Sequence, residues 1–512
     1  MNETAPETVP DHAVATPYAE LEQRFRRLYA LREAAGMLHW DMSAMMPAGG
    51  AAARTEQLAA LDVVCHEMLT EPALAELLDA AEGDSGALDR WQAANLQEMR
   101  REWAHANALD GRLVEALSRA CKRCEMAWRE ARPAGDFKAV LPALEEQLAL
   151  IREAAAAKAE ALGLSLYDAL LDEYEPGGRA ERIDAVFEPL AAFLPDFIER
   201  VLEHQASRSA PVAPPGPFPR DKQEALGRRF MQALGFDFAH GRLDVSLHPF
   251  CGGVPDDVRI TTRYDETDFF SALMGVLHET GHALYERGLP ADWRLQPVGQ
   301  ARGMAMHESQ SLLVEMQACR SPEFIGYAAP LARDSFDGEG EPWSADNLLR
   351  LSNKVERGFI RVEADEVTYP AHVILRYRLE RAMIAGDLAL ADLPGAWNDG
   401  MEALLHVRPP NDRLGCLQDI HWYDGAWGYF PTYTLGAMTA AQLFAAAKAA
   451  LPAIPAAIAR GDFSPLMAWL GEAVHSKGSL MSGDDLLTEA TGKPLDPTVF
   501  EAHLEARYLA GA

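Results

Sequence analysis

Pro211, Pro214, Pro215, Pro217 and Pro219 crowd into one short stretch, and no regular helix can run through it. Each ring removes a backbone donor and clashes with the preceding turn. The segment 207–221 is therefore a loop or linker between two halves. On its amino-terminal side, 18–206 is rich in Ala, Leu, Glu and Arg, with apolar residues three and four apart, as in Leu141, Leu144, Leu148 and Ile151. That spacing predicts a stack of long helices. Residues 1–17 are acidic and contain Pro, with no basic start leading into an apolar run, so they read as a mobile leader and not as a secretory signal.

The second half, 222–512, opens with one more helix around Lys222 to Leu234 and then changes period. Leu243-Asp-Val-Ser-Leu247 and Val258-Arg-Ile-Thr-Thr262 alternate in twos and predict two short strands, paired with each other. From about Thr267 the helical spacing returns, broken by Gly- and Pro-containing loops near Gly338 to Pro342 and Arg408 to Gly415. The expected fold is mainly α, one continuous unit with a small β element.

Several function classes are excluded early. A formal charge of -30 leaves no basic patch for a nucleic acid or an anionic membrane. No run of 18 apolar residues offers a spanning helix. Six cysteines in so long a chain, without a signal, suggest reduced thiols in the cytoplasm. Cys121-x-x-Cys124 has a spacing that can bind zinc, but no second Cys or His pair lies nearby, so both read as ordinary helix residues.

The chemistry concentrates on a helix predicted over 269–286, which starts after Thr267 and Asp268 as candidate caps and stops before Gly288 and Pro290. It carries His278-Glu279-Thr280-Gly281-His282. Four residues make about one helical turn, so both imidazoles share a face and can hold one zinc ion, with Glu279 beside them within reach of a water on the metal. Gly281 costs a helix roughly 1 kcal/mol against Ala, a poor choice unless something must approach closely.

A catalytic zinc site usually has three protein ligands and one open position. The metzincin extension fails, because the residues after His282 read Ala-Leu-Tyr-Glu-Arg-Gly and hold no third His. An acidic ligand on a following helix fits better. The run from Met304 to Glu315 can return antiparallel to the first helix and present Glu308, preferred over Glu315, with His307 and Ser309 either orienting ligands or forming an ordinary polar face.

These motifs resemble the carboxypeptidase Taq family of metallocarboxypeptidases, and the likeness covers nearly the whole chain. Trp40-Asp41 with Met46-Pro47 looks like the amino-terminal signature; His248-Pro249-Phe250 matches H-P-F, and Asp257-Val-Arg259-Ile-Thr261 matches D-x-R-x-T. The metal helix and His307-Glu308-Ser309-Gln310 follow. Ile360-Arg361-Val-Glu-Ala364-Asp365 matches I-R-x-x-A-D, and Gly415-Cys-Leu-Gln418-Asp419-Ile-His421-Trp422 matches G-x-x-Q-D-x-H-W. The departures, at Leu312, Tyr423-Asp424 and Trp427, bear on substrate preference. The resemblance implies a helical metallopeptidase with a deep groove closed by an amino-terminal helical lid, a homodimer, and removal of single residues from peptide carboxyl ends.

On this reading Glu279 is general base and acid in amide hydrolysis. His421, Tyr429 and Tyr433 are candidate donors to the oxyanion, the tyrosines having aromatic packing as their ordinary alternative. Arg259 and Arg361 are candidates for gripping a substrate carboxylate, against the alternative of internal salt bridges, and His248 either lines the groove or steadies the strand turn. The metal is expected to be zinc, with cobalt or manganese compatible with the same donors. Two rivals remain: an endopeptidase or aminopeptidase of the same metal type, and a non-catalytic helical metal-binding scaffold.

Overall fold

The computed structural model describes residues 16–246 and 248–510. Most of the expected leader lies outside them; Thr16 caps the first helix through its hydroxyl, which accepts from Ala19 N–H at 3.2 Å. The amino-terminal half is α1 (Pro17–Ala44), α2 (Ala51–Thr70), α3 (Pro72–Gly83), α4 (Arg90–Asn107), α5 (Gly111–Ala134), α6 (Phe137–Leu162), α7 (Leu166–Leu171) and α8 (Ala180–Ala206). Then come α9 (Arg220–Leu234), β1 (Gly241–Val245), β2 (Phe250–Val254), β3 (Asp257–Thr262), α10 (Phe269–Gly288) and α11 (Gly303–Leu312). The chain continues through α12 (Pro322–Ser335), α13 (Ala345–Ser352), α14 (Tyr369–Ala385), α15 (Leu393–Leu405) and α16 (His421–Asp424). It finishes with α17 (Pro431–Ala450), α18 (Ile454–Ile458), α19 (Ser464–Ala473), α20 (Gly483–Thr491) and α21 (Pro497–Glu505). The architecture is mainly α with one small sheet, as expected.

Between α8 and α9 the Pro-rich stretch has no regular structure, yet it is docked. Asn347 brackets the backbone of Val212, accepting its N–H and donating to its carbonyl, each at 2.8 Å. Phe218 is buried against Phe269 at the start of α10, centroids 5.0 Å apart.

The sheet has three strands in the order β1-β3-β2. The two expected strands pair, in parallel, with Leu243 opposite Ile260. The third, β2, runs antiparallel to β3 and escaped the sequence pattern because Phe250-Cys-Gly-Gly-Val does not alternate. Gly253 has φ +87°, and a Cβ there would lie 2.1 Å from the carbonyl oxygen of Asp257, so the tight β2–β3 turn requires glycine. Leu247, taken as the end of the first strand, lies outside the described residues. β3 and β2 both pack on α10, so the sheet backs the metal helix.

Four apolar clusters fill the described residues, the smallest being Met231, Phe236, Leu243, Val258, Ile260, Val276 and Ala283, where α9, the sheet and α10 meet. The largest joins α5–α8 to α14–α17 and α21, so residues on both sides of the prolines share one core. A second surrounds α9, α10, α11 and α12. The third belongs to α1–α4, with Leu295 the partly buried contribution from beyond them.

Candidate active site

Asp268 opens α10 by accepting from Phe270 N–H at 3.0 Å and Ser271 N–H at 3.2 Å, a cap worth about 1 kcal/mol. The helix runs two residues past the expected end, to Gly288. It lies against α11, and the contacts reverse in order: His278 meets Glu315, His282 meets Glu308, and Glu286 meets His307. The two helices are therefore antiparallel, as expected. Close approach depends on Gly281, where a Cβ would lie 2.5 Å from Gln310 O and 2.6 Å from Ser311 Cα. On the opposite side of α11, a Cβ at Gly436 of α17 would fall 2.8 Å from Glu308 Cβ.

His278, His282 and Glu308 each present one ligand atom, all within 4.8 Å of one another. Nε2 of His278 is 4.0 Å from Glu308 Oε1, and Nε2 of His282 is 3.4 Å from Glu308 Oε2. Two imidazoles and one carboxylate are a donor set suited to a divalent ion such as zinc. The electrostatics agree. Burial opposes a charge on His278, but Glu308, Glu315 and Glu279 outweigh it and push its pKa up to about 10, so the space beside its Nε2 favours a cation. Burial of Glu308 is likewise outweighed by His278 and His282, which hold it down to about 2.

Further polar contacts brace these candidate ligands. Glu315 Oε2 lies 3.0 Å from Nδ1 of His278, and its other oxygen accepts from Arg320 at 2.9 Å. His307 Nδ1 is 2.7 Å from His282 Nδ1, while its Nε2 is 2.8 Å from Glu286. A carboxylate-imidazole contact on the far nitrogen fixes a ligand's tautomer and ring plane. Ser309 bonds instead to the Met306 carbonyl of its own helix, at 2.7 Å. Sequence spacing assigns Glu315 no part beyond that of a rejected ligand; the one signal for its contact with His278 is its position two turns after Glu308.

Glu279 is 7% exposed, and its pKa is pushed up to about 7, chiefly by burial. Such a carboxyl is poised to take and return a proton near neutral pH. The amino-terminal half reaches this site from the side: Tyr174 O accepts from Met304 N–H at 2.7 Å and Glu175 from Ala305 N–H at 2.9 Å, capping α11.

The aromatic and basic candidates gather in part. His421 Nε2 is 3.0 Å from Tyr433 OH, the Tyr429 and Tyr433 rings are 5.2 Å apart, and Arg361 stacks 4.6 Å over the Tyr433 ring. Burial first, and the charge of Glu308 after it, raise the pKa of both phenols. Burial lowers His421 to about 4, so it is neutral. Its Nδ1 finds no partner among the described residues, which favours an Nε2–H that donates to Tyr433 and leaves that phenol's own proton free. Arg361 is 5% exposed and bonds Asp419 at 2.8 and 3.0 Å; Arg376, wholly buried, bonds the same carboxylate at 2.6 Å. Two guanidiniums thus share one anion. Arg376 and Asp419 carried no assigned role in the sequence reading.

Arg259 and His248 stand apart from that group. Arg259 makes two bonds to Asp257, at 3.0 and 2.6 Å, and stacks 4.3 Å over Trp40 of α1. The carbonyl of exposed His248 accepts from Thr261 Oγ1 at 3.3 Å, beside the strand turn. A cavity of about 320 Å³ opens between α1 and β2, lined by Tyr29, Glu33, Gly252 and Gly253, and it reaches Glu286 and His307 without touching the ligands. Cys121 and Cys124 sit in α5 as free thiols outside the His-His-Glu cluster.

A mainly helical chain in which an H-E-x-x-H helix and an acidic helix converge on one cation site has the make-up of a metallopeptidase. The sequence profile described as carboxypeptidase Taq (M32) metallopeptidase matches residues 20–508. The chain is similar to thermostable carboxypeptidase 1 of Thermus thermophilus, 38% identical over 507 residues, covering 96% of this chain and 98% of that one. Thermostable carboxypeptidase 1 of Pyrococcus furiosus is 35% identical, covering 95% and 97%. The solved structure of Trypanosoma cruzi metallocarboxypeptidase 1 is 41% identical and superposes with a TM-score of 0.94 over 96% of this chain and 99% of that one. The chain belongs to the carboxypeptidase Taq (M32) family and is an enzyme of the metallocarboxypeptidase class. No helix among the described residues is long and apolar enough to cross a membrane.

Proposed function

We propose that this enzyme removes residues from the free carboxyl end of peptides, with His278, His282 and Glu308 holding a zinc ion and Glu279 handling the proton. The observation that carries the reading is the convergence of three ligand atoms within 4.8 Å beside a buried carboxyl whose pKa is lifted to about 7. An ion held there supplies Lewis acidity, polarising the scissile carbonyl and lowering the pKa of water to about 7. Cobalt or manganese would suit the same donors. A Glu279 carboxylate oxygen takes the proton of the attacking water and passes it to the leaving amine. Tyr433, protonated up to about pH 12, and Tyr429, higher still, donate to the developing oxyanion, with His421 orienting Tyr433.

Direction of attack follows from the arginines. Arg361 and Arg376 against the single charge of Asp419 leave a buried excess of one positive charge, which a substrate's terminal carboxylate would balance. Arg259, bound to Asp257, and exposed His248 are assigned to the outer part of the groove. The chain works as one peptidase unit, 18–206 supplying the lid and 222–512 the catalytic region around the 207–221 loop; a cytoplasmic homodimer completes the proposal on resemblance. Mass-spectrometric product analysis tests the reaction: residues should leave one by one from the carboxyl end, chelator should stop this, and undiminished cleavage of carboxyl-amidated peptides would overturn it.

A further inference from the structure

Beyond α21 the backbone closes in a π turn, Ala506–Ala510, whose partly buried Arg507 packs against a second π turn, Leu313–Ala318, the one that carries Glu315. One guanidinium nitrogen of Arg507 donates to Met316 O and, at 2.9 Å, to Glu366; the other donates to Gln317 O at 3.0 Å. Buried Glu366 also accepts from Gln317 Nε2 at 2.8 Å, so the same carboxylate ties both turns. Carbonyls at the end of a helical segment lack partners within it, and a planar guanidinium can take two at once.

We propose that Arg507 is a positioning residue for the metal centre. By fixing the π turn it fixes Glu315, and Glu315, 3.0 Å from Nδ1, sets the tautomer and ring plane in which His278 offers Nε2 to the ion. This rests on reading His278 as a ligand. A simpler explanation, that Arg507 only pins α21 to the body, would affect stability and leave metal binding alone.

The control is Arg200, which ties the same α21 to α8 through Glu505 at 3.2 Å, away from the π turn. Wild type, Arg507→Ala and Arg200→Ala are compared for zinc affinity by chelator competition and for the absorption spectrum of the cobalt-loaded protein. In Arg507→Ala the zinc dissociation constant should rise about 10–100-fold and the cobalt spectrum should change, with Arg507→Lys recovering part of both. Arg200→Ala should match wild type in each. Unchanged affinity and spectrum in Arg507→Ala, or an equal loss in Arg200→Ala, overturns the proposal. If Arg507→Ala does not fold, Arg507→Met, which keeps the aliphatic stem, is judged by the same criteria. Failure of wild type to bind either ion would refute the metal reading itself, a result distinct from all of these.

Discussion

Gly281 lies so close to the backbone of Gln310 that a Cβ on it would stand 2.5 Å from the carbonyl oxygen. The spacing of α10 and α11, and through it the gap between His282 and Glu308, is set by the absence of one methyl group. Gly281→Ala should therefore reverse the usual helix gain of about 1 kcal/mol, since backbone cannot yield as a side chain can and overpacking costs roughly 1–3 kcal/mol. Thermal unfolding and metal content should both fall. A stabilised variant with full metal would show that the helices are free to separate.

Glu279→Gln keeps the shape of the side chain and removes its basicity. Activity should drop by at least about 10²-fold, while metal content and the unfolding midpoint stay close to wild type. A fully active glutamine variant would remove Glu279 from the mechanism.

Glu308→Ala takes away one of three ligand atoms and the negative charge opposite both imidazoles. Elemental analysis after dialysis should find substoichiometric metal. Full occupancy would point to another ligand in its place.

Asp419 balances two buried guanidiniums, so Asp419→Asn leaves them facing each other and should cost about 3–5 kcal/mol in chemical denaturation. Arg361→Gln keeps the Asp419–Arg376 pair and should fold, yet lose about two orders of magnitude in kcat/KM on peptides with a free carboxylate. Equal kinetics for the variant and wild type would exclude Arg361 from substrate recognition.

Glu380 is wholly buried and accepts from Tyr167, Trp422 and the backbone of Gly428, but burial still pushes its pKa up to about 7. The unfolded chain, with a pKa near 4.5, releases this proton first. Its contribution to stability is thus greatest below pH 4.5, shrinks as pH rises to about 7 and then levels off, by about 3 kcal/mol in total. Denaturant unfolding at pH 5 and pH 8 should show a smaller drop for Glu380→Gln than for wild type. Parallel curves would contradict the raised pKa.

What could be read from the sequence is what local spacing determines. His278 and His282 share a face by helix geometry alone, Asp268 announces the start of their helix, and Gly281 signals a close neighbour. Glu308 could be singled out as the candidate third ligand because a catalytic zinc site usually needs one and the nearest His-based pattern failed. Strand β2 was hidden because Gly252 and Gly253 erase its alternation. The partners of Asp419 are 58 and 43 residues away in the chain, beyond the reach of any periodicity. Glu315 depends on a π turn, a local change of winding that no spacing of residue types reports.

The apolar side chains of α1–α4 form a cluster almost entirely their own, joined to the rest at α4 by contacts such as Asn95 to Gln296 at 3.0 Å and Arg302 to Glu98, and at α1 where Trp40 lies under Arg259. Undocking these four helices would cost hydrogen bonds and ion pairs, Arg302–Glu98 and those of Arg101 and His105 with Asp172, more than burial of their own apolar cluster, and water can replace those in kind. They should therefore open as a cooperative unit of their own, with amide protons that exchange ahead of those in α10, α11 and α17.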